Sequence, residues 1–418
     1  MELLGGRNTS GIRHFEIDLH ASSGSGLVGD VRVLHIVSGV ASRYGGTTTA
    51  VLGLCEALTR FGSVKVEIAA TDSDGPNKSL PANTFDGFAY PVHTFPVTGS
   101  ERWKRSAGLR HWMHANASRF DLFHIHGVWS YSTLVGRRAA QGSGRPFVLS
   151  PHGMLSDYSF HRSAALKWAY WRLIERPTAQ AAAAIMATSR GEANELQRLR
   201  LRAPVRVVPL GVNPEGWSTP PEREALRRRC GAVAGDKPIV LFLSRLHPKK
   251  GITDLLLPAF ARLKAPAFLA IAGGVDESTP EYLNAIRNEC ERLGLTKRVA
   301  LLGAIPPAER WQLFDGAAAF VLPSHQENFG IVVGEAMARG CPVIVSDQVQ
   351  SCDHVLTADC GRVVPRDIGR VAGAIDDLLG DEQVRSGMGE RGRAYATVRF
   401  GWDNIAHQFA AVYESCRK

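Results

Sequence analysis

Long apolar runs are missing from this sequence. No stretch approaches the roughly 18–20 consecutive apolar residues that a helix needs to cross a bilayer. Residues 1–30 also lack a basic head followed by an apolar core, which is the pattern of a secretory signal. We therefore expect a cytoplasmic protein in which residues 1–30 form a loosely ordered leader.

Cysteine motifs and a dinucleotide-binding loop are missing as well. The seven cysteines form no Cys-x-x-Cys pair and no Cys/His set at zinc-ligand spacing, so the sequence indicates neither a disulfide framework nor a metal site. No G-x-G-x-x-G loop follows the first strand of either half, which disfavours a dinucleotide oxidoreductase. The composition, 44% hydrophobic and 21% charged over 418 residues, is typical of an enzyme with two lobes that each have a core.

Short runs rich in Val, Ile, Leu and Ala alternate with segments of helical periodicity. Such runs are typical of parallel strands covered on both faces, so the predicted fold class is α/β. The Pro- and charge-rich segment 213–229 separates the runs into two series. We predict two Rossmann-like parallel-sheet lobes facing across a cleft, over 31–211 and 212–399, rather than one large open sheet. The predicted strands are 31–37, 66–70, 122–126, 146–150, 184–189 and 205–211, then 238–244, 268–274, 299–303, 318–324 and 342–346.

The C-terminal segment has apolar residues at helical spacing, namely Trp402, Ile405, Phe409 and Val412. This pattern predicts an amphipathic helix over 400–418. We expect it to pack back on the first lobe, although a helix that closes the second lobe would show the same pattern.

Basic residues are concentrated in one part of the chain. Residues 101–215 hold 17 Lys and Arg against 7 Asp and Glu, in a chain whose net charge is +9. Such a surface indicates an anionic partner, such as lipid headgroups, phosphates or nucleic acid. Within it, Lys167, Trp168, Trp171 and Arg172 are the residue types of a helix lying in an anionic membrane interface. The alternative is that the aromatic residues pack in the core and the basic ones form a solvated face.

Arg245 and Lys250 follow the end of the predicted strand 238–244. Ligands of open parallel sheets bind beyond the carboxyl ends of their strands. A guanidinium and an ammonium group there could clamp a phosphate. The alternative is a solvated basic turn.

A second segment of this lobe predicts an anion site at a helix N-terminus. The predicted strand 318–324 leads through Glu327 and Gly330 into a helix that contains Glu335. The free N–H groups and the dipole of such a terminus favour an anion. Carboxylates beside it suit sugar and ribose hydroxyls, although Glu327 as a helix cap and Glu335 as a solvated residue remain open.

Together these motifs resemble those of the retaining glycosyltransferases with the GT-B fold, in particular glycosyltransferase family 4. The resemblance covers roughly residues 31–418. It implies an acceptor in the first lobe and a nucleotide-sugar donor in the second. The matched positions are the glutamates Glu327 and Glu335, the basic pair Arg245 and Lys250, the glycine loop Gly45-Gly46, the segment Pro209–Val212, and His152.

The resemblance implies a role for each matched residue. Arg245 and Lys250 would bind the donor diphosphate and stabilise the departing nucleotide. Glu327 would hold the transferred sugar, Glu335 the ribose, and His152 would lie beside the sugar. Further donor-binding positions, most of them acting through backbone groups, would be Gly45, Gly46, Asn328, Phe329, Gly330, Gly303, Ala304 and Ile305.

Two regions are matched less closely. Segments 126–132 and 150–159 resemble members that build bacterial exopolysaccharide or lipopolysaccharide, so Trp129, Tyr131 and Asp157 are candidates for an acceptor groove, with core packing of Trp129 as the alternative. After the strand 342–346 the family commonly has Gly-Gly and then Glu. This chain lacks those glycines, and Asp353 is the acid that could replace the glutamate.

The resemblance thus implies a retaining transferase that moves a hexose-type sugar from a UDP- or GDP-linked donor to a lipid-linked saccharide, in cell-surface polysaccharide synthesis. We expect it at the anionic inner face of the cytoplasmic membrane, without nucleic acid as a partner. No cofactor or metal is expected, because the Arg/Lys pair can neutralise the diphosphate. The alternatives are a soluble acceptor, as in glycogen or sucrose synthases, a non-hydrolysing epimerase, and a basic nucleic-acid-binding module. The last lacks any recognisable nucleic-acid-binding motif.

Overall fold

The computed structural model describes residues 30–156, 159–160, 164–213 and 215–417. The expected leader, apart from Asp30, lies outside the described residues, as does Asp157. Within the described ranges the chain forms two separate sheets, and neighbouring strands in both sheets are parallel. The near-continuous apolar runs therefore lie where parallel sheets need them, between layers of helices.

The first sheet has seven strands among the described residues, in the order β3-β2-β1-β4-β5-β6-β7. Because β1 pairs with both β2 and β4, the strand order changes direction between β1 and β4 and opens a crevice at their carboxyl ends. The strands are β1 Val31–Val37, β2 Val64–Thr71, β3 Val92–Phe95, β4 Leu122–His126, β5 Phe147–Ser150, β6 Ala184–Ala187 and β7 Val205–Val207.

The second sheet, as far as the structure describes the chain, has six strands in the order β10-β9-β8-β11-β12-β13. Its order changes direction between β8 and β11, in the same way. The strands are β8 Ile239–Leu243, β9 Phe268–Ala272, β10 Val299–Gly303, β11 Ala319–Leu322, β12 Val343–Ser346 and β13 Gly361–Val364.

The helices cover both faces of the two sheets. A π turn, Trp171–Glu175, joins the helices on either side of it, and a second, Ile252–Leu256, leads directly into the helix that begins at Leu257. The first-lobe helices are α1 Gly46–Phe61, α2 Ala107–Asn116, α3 Tyr131–Gly142, α4 Ala164–Tyr170, α5 Arg176–Ala181 and α6 Arg190–Arg198. The others are α7 Glu215–Ser218, α8 Glu224–Cys230, α9 Leu257–Ala261, α10 Tyr282–Arg292, α11 Arg310–Asp315, α12 Ile331–Ala338, α13 Cys352–Ala358, α14 Ile368–Gly380, α15 Glu382–Arg399 and α16 Trp402–Arg417.

The C-terminal helix α16 lies on the first lobe. Its residues Trp402, Ile405, Phe409 and Tyr413 belong to the same buried cluster as residues of β1, β2 and α1. The close approach depends on Gly53, where a Cβ would lie 2.4 Å from the Trp402 ring. The chain passes between the lobes twice, once near Val212 and once near Phe400. The two crossings are adjacent, because the Val212 N–H donates to the Phe400 carbonyl at 2.8 Å.

The strands β3 and β13 were not predicted. Both lie at the edge of a sheet and have only four residues. All four residues of β3 are only partly buried, so it lacks the continuous apolar run by which the central strands are recognised.

Candidate active site

The two lobes face each other across a cleft of about 880 Å³. Its first-lobe wall comes mainly from the segments after β1, β2 and β5, and its second-lobe wall from the loops after β8, β9, β10 and β11. All of these loops follow the carboxyl ends of parallel strands, where such sheets bind their ligands. Residues from both predicted lobes are therefore brought to one place.

Lys250 and Glu327 form an ion pair in the second-lobe wall. The Lys250 ammonium donates to Oε2 of Glu327, and the two side chains are 11% and 19% exposed. Burial alone would raise the pKa of Glu327, but the charges of Lys250, Lys249 and Arg245 outweigh it and lower that pKa. Glu327 is therefore a carboxylate that accepts hydrogen bonds and is unsuited to act as an acid near neutral pH.

Arg245 lies at the mouth of the cleft. Its side chain is 70% exposed and donates to Oδ2 of Asp276 at 2.7 Å. Asp276 is held in turn by the backbone N–H and hydroxyl of Ser278, at 3.0 and 2.6 Å. Asp276 was not predicted, because it lies in an irregular segment after β9 that carries no motif.

Gly330 and Glu335 lie at the start and in the body of helix α12, as predicted. Gly330 precedes the helix with φ +65°, a conformation that favours glycine. Glu335 is 2% exposed and pairs with Arg310, at 2.9 Å. Burial raises the pKa of Glu335 to about 7, and the charge of Arg310 offsets this only in part. Arg310 also lines the cleft and was missed, because α11 carries no sequence signal for a ligand.

The glycine loop of the first lobe faces this wall. Gly45 has φ +67° and precedes α1, and Gly46 opens that helix. A Cβ on Gly46 would lie 3.4 Å from Ile331, whereas one on Gly45 would meet no protein atom within 4 Å. Backbone conformation therefore explains Gly45. The predicted approach of a phosphate to this loop stays a prediction.

Asn328 connects the two lobes inside the cleft. Its amide donates to the Thr188 hydroxyl at 3.0 Å, and the Thr188 hydroxyl donates to Glu192 at 2.8 Å. Glu192 also accepts from the backbone N–H of Gly153, at 2.6 Å. Thr188 and Glu192 were not predicted, although the Ser-x-x-Glu sequence from Ser189 to Glu192 is a capping-box signature at the start of α6.

The remaining donor-site candidates divide into two groups. Ala304 and Ile305 line the cleft, but Gly303 is not among its lining residues and ends β10 with its carbonyl bonded to Gly273 N–H at 2.7 Å. Phe329 reaches the cleft, yet it is only 2% exposed and its ring packs against Phe400.

His152 lines the cleft in a left-handed backbone conformation, with φ +53°. Its Nε2 lies 3.1 Å from Nδ1 of His126, whose Nε2 lies 3.0 Å from Nδ1 of His35. The two inner histidines are buried and were not predicted. Their sequence signal is the run LFHIH at 122–126, where alternate residues share a face of the sheet.

The loop 347–353, which lacks the family's glycines, packs beneath the Glu327 segment. Glu327 N–H donates to the Gln348 carbonyl at 3.1 Å, and Gln350 N–H donates to the Glu327 carbonyl at 3.0 Å. Asp353 lines a separate pocket together with Arg190 and Arg399. Asp353 is not among the residues that line the cleft, and its substitution for the family's glutamate stays a prediction.

The aromatic and basic candidates of the first lobe fall into buried and exposed sets. Tyr131 and Trp171 are core residues, 7% and 6% exposed, so the structure corrects their assignment to an acceptor or membrane surface. Lys167 also points inward, donating to the Ser159 carbonyl at 2.7 Å above the ring of Trp129. Trp129 is partly buried and donates from its indole N–H to the Met154 carbonyl at 2.9 Å.

Trp168 and Arg172 remain on the surface. Trp168 is 56% exposed, and the Arg172 guanidinium lies 4.8 Å above its ring. The next residue, Leu173, is 77% exposed and was not predicted. No helix in the part of the chain that the structure describes is long and apolar enough to span a bilayer.

The described residues contain one histidine cluster with ligand atoms close enough to hold a metal, formed by His35, His124 and His126. Both nitrogens of His124 are bonded, to Tyr413 and Ser150, at 2.7 Å each. An Asp-x-Asp sequence, often associated with metal-dependent transferases, occurs at 72–74, but neither aspartate is among the residues that line the cleft. The expectation that no metal is required stays a prediction.

Both halves of the chain match known family models. Residues 45–211 match the glycosyl transferase 4-like domain, and residues 225–395 match the glycosyl transferases group 1 model. A D-inositol 3-phosphate glycosyltransferase of Xylanimonas cellulosilytica is 31% identical over 406 residues, covering 90% of this chain and 92% of that protein. The chain belongs to the group 1 glycosyltransferases. The predicted family and transferase activity are confirmed, and the epimerase and nucleic-acid-binding alternatives are set aside.

Two further similarities extend this result. A GDP-mannose-dependent alpha-(1-6)-phosphatidylinositol monomannoside mannosyltransferase of Mycolicibacterium smegmatis is 32% identical over 222 residues, half of this chain and 56% of that protein. Among solved structures, Anabaena HepE in complex with UDP and glucose has a TM-score of 0.75 at 22% identity, over 92% of this chain and all of that one. The predicted two-lobe GT-B fold is therefore confirmed.

Proposed function

We propose that this glycosyltransferase moves a hexose-type sugar, with retention of its anomeric configuration, from a UDP- or GDP-linked donor to a lipid-linked saccharide. The observation that carries the proposal is the presence of two largely buried ion pairs, Lys250–Glu327 and Arg310–Glu335, in one wall of the cleft. They flank the N-terminus of α12, so cations, carboxylates and free backbone N–H groups meet there.

A nucleotide sugar fits this arrangement group by group. The diphosphate would lie between the N-terminus of α12 and the cations Arg245 and Lys250, which supply the positive charge that a metal would otherwise supply. Glu327 and Glu335 would accept hydrogen bonds from sugar and ribose hydroxyls. The complexes of HepE contain UDP with glucose and UDP-glucose, and the mycolicibacterial relative is named as GDP-mannose-dependent, which supports both donor classes.

The chemical step needs no nucleophile from the protein. The bond between the anomeric carbon and the diphosphate oxygen breaks, and the acceptor oxygen bonds to the same face of that carbon. The acceptor proton passes to the departing phosphate. Arg245 and Lys250 stabilise the charge that develops on this leaving group. In the protein without ligand, Glu327 is ionised because its neighbouring cations hold its pKa low.

The acceptor class is proposed from the first-lobe surface. Trp168, Arg172 and Leu173 present an aromatic ring, a cation and an apolar side chain to solvent on one short segment. These groups suit an anionic bilayer interface, where a lipid-linked acceptor would be held. The name of the mycolicibacterial relative specifies a phosphatidylinositol-linked acceptor, which supports the same class, as does the looser resemblance to exopolysaccharide and lipopolysaccharide enzymes.

The donor proposal is tested by thermal unfolding of the full chain with UDP, GDP, ADP, UDP-glucose or GDP-mannose, with and without EDTA. We expect one of the uridine or guanosine pairs to raise the Tm, and EDTA to leave the shift unchanged. Arg245→Ala and Lys250→Ala should each remove most of the shift, whereas the exposed Lys264→Ala should retain it. A chain that none of these nucleotides stabilises would disprove the donor proposal.

The membrane proposal is tested by sedimentation with phosphatidylglycerol-containing vesicles. Leu173→Ser and Arg172→Glu should each reduce the bound fraction severalfold, because they remove apolar burial and attraction to the headgroups. Leu356→Ser is the matched control, since Leu356 is 63% exposed but belongs to the second lobe. Equal binding of the Leu173 and Leu356 variants, or sugar transfer to soluble acceptors alone, would favour a soluble acceptor.

A further inference from the structure

A row of three histidines leads from the cleft into the core of the first lobe. His152 lines the cleft, and a nitrogen–nitrogen hydrogen bond of 3.1 Å joins it to His126 on the side away from the cleft. A second such bond, of 3.0 Å, joins His126 to His35. The His126 ring lies nearly parallel to both neighbours, at 16° and 15°. The three rings therefore form one continuous hydrogen-bonded unit.

The sheet itself dictates this row. His35 lies on β1 directly beside His124 on β4, and His126 lies beside Ser150 on β5. In-register residues of parallel strands share a face, and so do residues two apart on one strand. His152, two residues beyond Ser150, continues the line past the carboxyl end of β5 into the cleft.

Each ring in the row carries a single proton near neutral pH. Burial lowers the pKa of His35 to about 3, that of His152 to about 4, and that of His126 well below its ordinary value. A neutral imidazole has one N–H donor and one bare nitrogen. Because each of the two hydrogen bonds needs one donor and one acceptor, only two arrangements of the protons are possible. In one, every ring is protonated at Nδ1 and donates toward the cleft. In the other, every ring is protonated at Nε2 and donates toward the interior.

The inner end of the row decides between the two arrangements. Nε2 of His35 is buried and has no hydrogen-bond partner among the described residues. Donation toward the interior would place an N–H there without an acceptor, and buried N–H groups without a partner are rare in proteins. Donation toward the cleft places the last N–H on His152, where water or a ligand oxygen can accept it.

We propose that His35 and His126 are positioning residues that hold His152 in the Nδ1–H tautomer, so that His152 presents a hydrogen-bond donor to an oxygen of the bound sugar. The identity of that oxygen rests on the proposed function, whereas the tautomer depends only on the histidine row. Reversing the row would turn His152 into an acceptor and change which sugar hydroxyls it can hold.

His124 provides a matched control inside the same cluster. It is as buried as its neighbours and lies 3.9 Å from His126 between ring centroids. Its nitrogens, however, bond Tyr413 and Ser150 and take no part in the row. Replacing His124 therefore perturbs the same core without removing a donor from the row.

The test is imidazole ¹⁵N NMR of the full chain labelled at histidine, without ligand. The His152 signals are assigned by their loss in His152→Asn. We expect a pyrrole-type shift at Nδ1 of His152 and a pyridine-type shift at its Nε2. The opposite result, with the proton on Nε2 of His152, would overturn the proposal, and the wild-type protein is sufficient for this test.

Variants then test whether His35 sets this tautomer. In His35→Leu the donor is gone, so both His152 shifts should move toward intermediate values as the two tautomers exchange. In His35→Asn an amide N–H can replace the Nδ1 donor and should restore the wild-type pattern, and His124→Asn should leave it unchanged. Unaltered His152 shifts in a folded His35→Leu variant would overturn the positioning role.

The same sample separates this proposal from the proposed function. Nucleotide binding is measured by thermal unfolding and does not depend on the tautomer. Addition of UDP-glucose should shift the His152 Nδ1 resonance if that sugar accepts the bond. A wild-type tautomer as expected, with no response to any nucleotide sugar, would leave the histidine row correct and the donor assignment wrong.

Discussion

The two lobes bury their ionisable side chains in different ways. In the first lobe, burial lowers the pKa of His35 and raises that of Glu175 to about 7, and the structure shows no salt bridge to either side chain within the residues that it describes. In the second lobe, Glu327 pairs with Lys250 and Asp315 with Arg339. At these positions the first lobe holds groups that burial makes neutral, and the second lobe holds paired charges. Glu335 of the second lobe lies between the two cases, because burial raises its pKa to about 7 although it pairs with Arg310.

This difference suits the ligand that the cleft is proposed to bind. A diphosphate can replace Glu327 as the partner of Lys250, so the second lobe offers cations that are held in place without being left uncompensated. The neutral groups of the first lobe can orient hydroxyls by hydrogen bonding without competing for the phosphate charge. The comparison thus separates anion binding from sugar orientation across the cleft.

The strongest test of the comparison removes a buried cation from the second lobe. The Arg339 and Asp315 side chains are 3% and 4% exposed and form a two-point contact at 2.8 and 2.6 Å. Arg339→Met leaves Asp315 buried without its charge partner and should lower the free energy of unfolding by about 3–5 kcal/mol. Urea unfolding measures this change. The control Arg391→Met breaks an exposed pair with Asp359 and should cost no more than about 1 kcal/mol. Equal costs for the two variants would contradict the comparison.

The second prediction concerns activity in the same lobe. Glu327→Gln removes the charge that faces Lys250 and weakens the bond to the sugar, so turnover should fall by about tenfold to a hundredfold. Initial rates with the nucleotide sugar that stabilises the protein measure the effect. Glu224→Gln, which neutralises a carboxylate that is 70% exposed on α8, should retain wild-type turnover. A Glu327 variant with wild-type rates would remove this residue from the site.

A third prediction tests the comparison from the first-lobe side. Burial raises the pKa of Glu175 above its unfolded value of 4.5 to about 7. Its contribution to stability is therefore complete below pH 4.5 and is lost as pH rises through 7, a decrease of about 3 kcal/mol. The free energy of unfolding is measured at pH 5 and at pH 8 for the wild type and for Glu175→Gln. The difference between the two pH values should be smaller in the variant by about this amount. Because both proteins contain the same buried histidines, the comparison reports on Glu175 alone. An identical pH dependence in both proteins would show that Glu175 is ionised when folded.

Much of the fold was predictable because apolar runs identify central parallel strands directly. The edge strands β3 and β13 were missed because half-exposed strands of four residues carry no such run. Trp168 and Trp171 were assigned to one surface, yet only the first is exposed. Residues three apart on a helix differ by about 60° in direction, so they can lie on either side of the boundary between core and solvent.

The candidate site was predictable where a motif names its residues, as for Glu327, Lys250 and His152. Sequence analysis missed Arg310, Thr188 and His35. Strand register and the packing of the lobes place these residues in the cleft or in the hydrogen bonds that support it. Single residues in unremarkable local sequence carry no signal of such long-range contacts. Asp353 shows the converse, because a plausible substitution in the sequence points into a different pocket.

The position of α16 has a consequence for the order in which the protein can be assembled during synthesis. Trp402, Ile405, Phe409 and Tyr413 complete the apolar core around α1, but the ribosome makes them after the whole second lobe. A nascent first lobe therefore keeps part of its apolar surface uncovered while some two hundred further residues emerge. The lobe that begins translation first is the last to close its core.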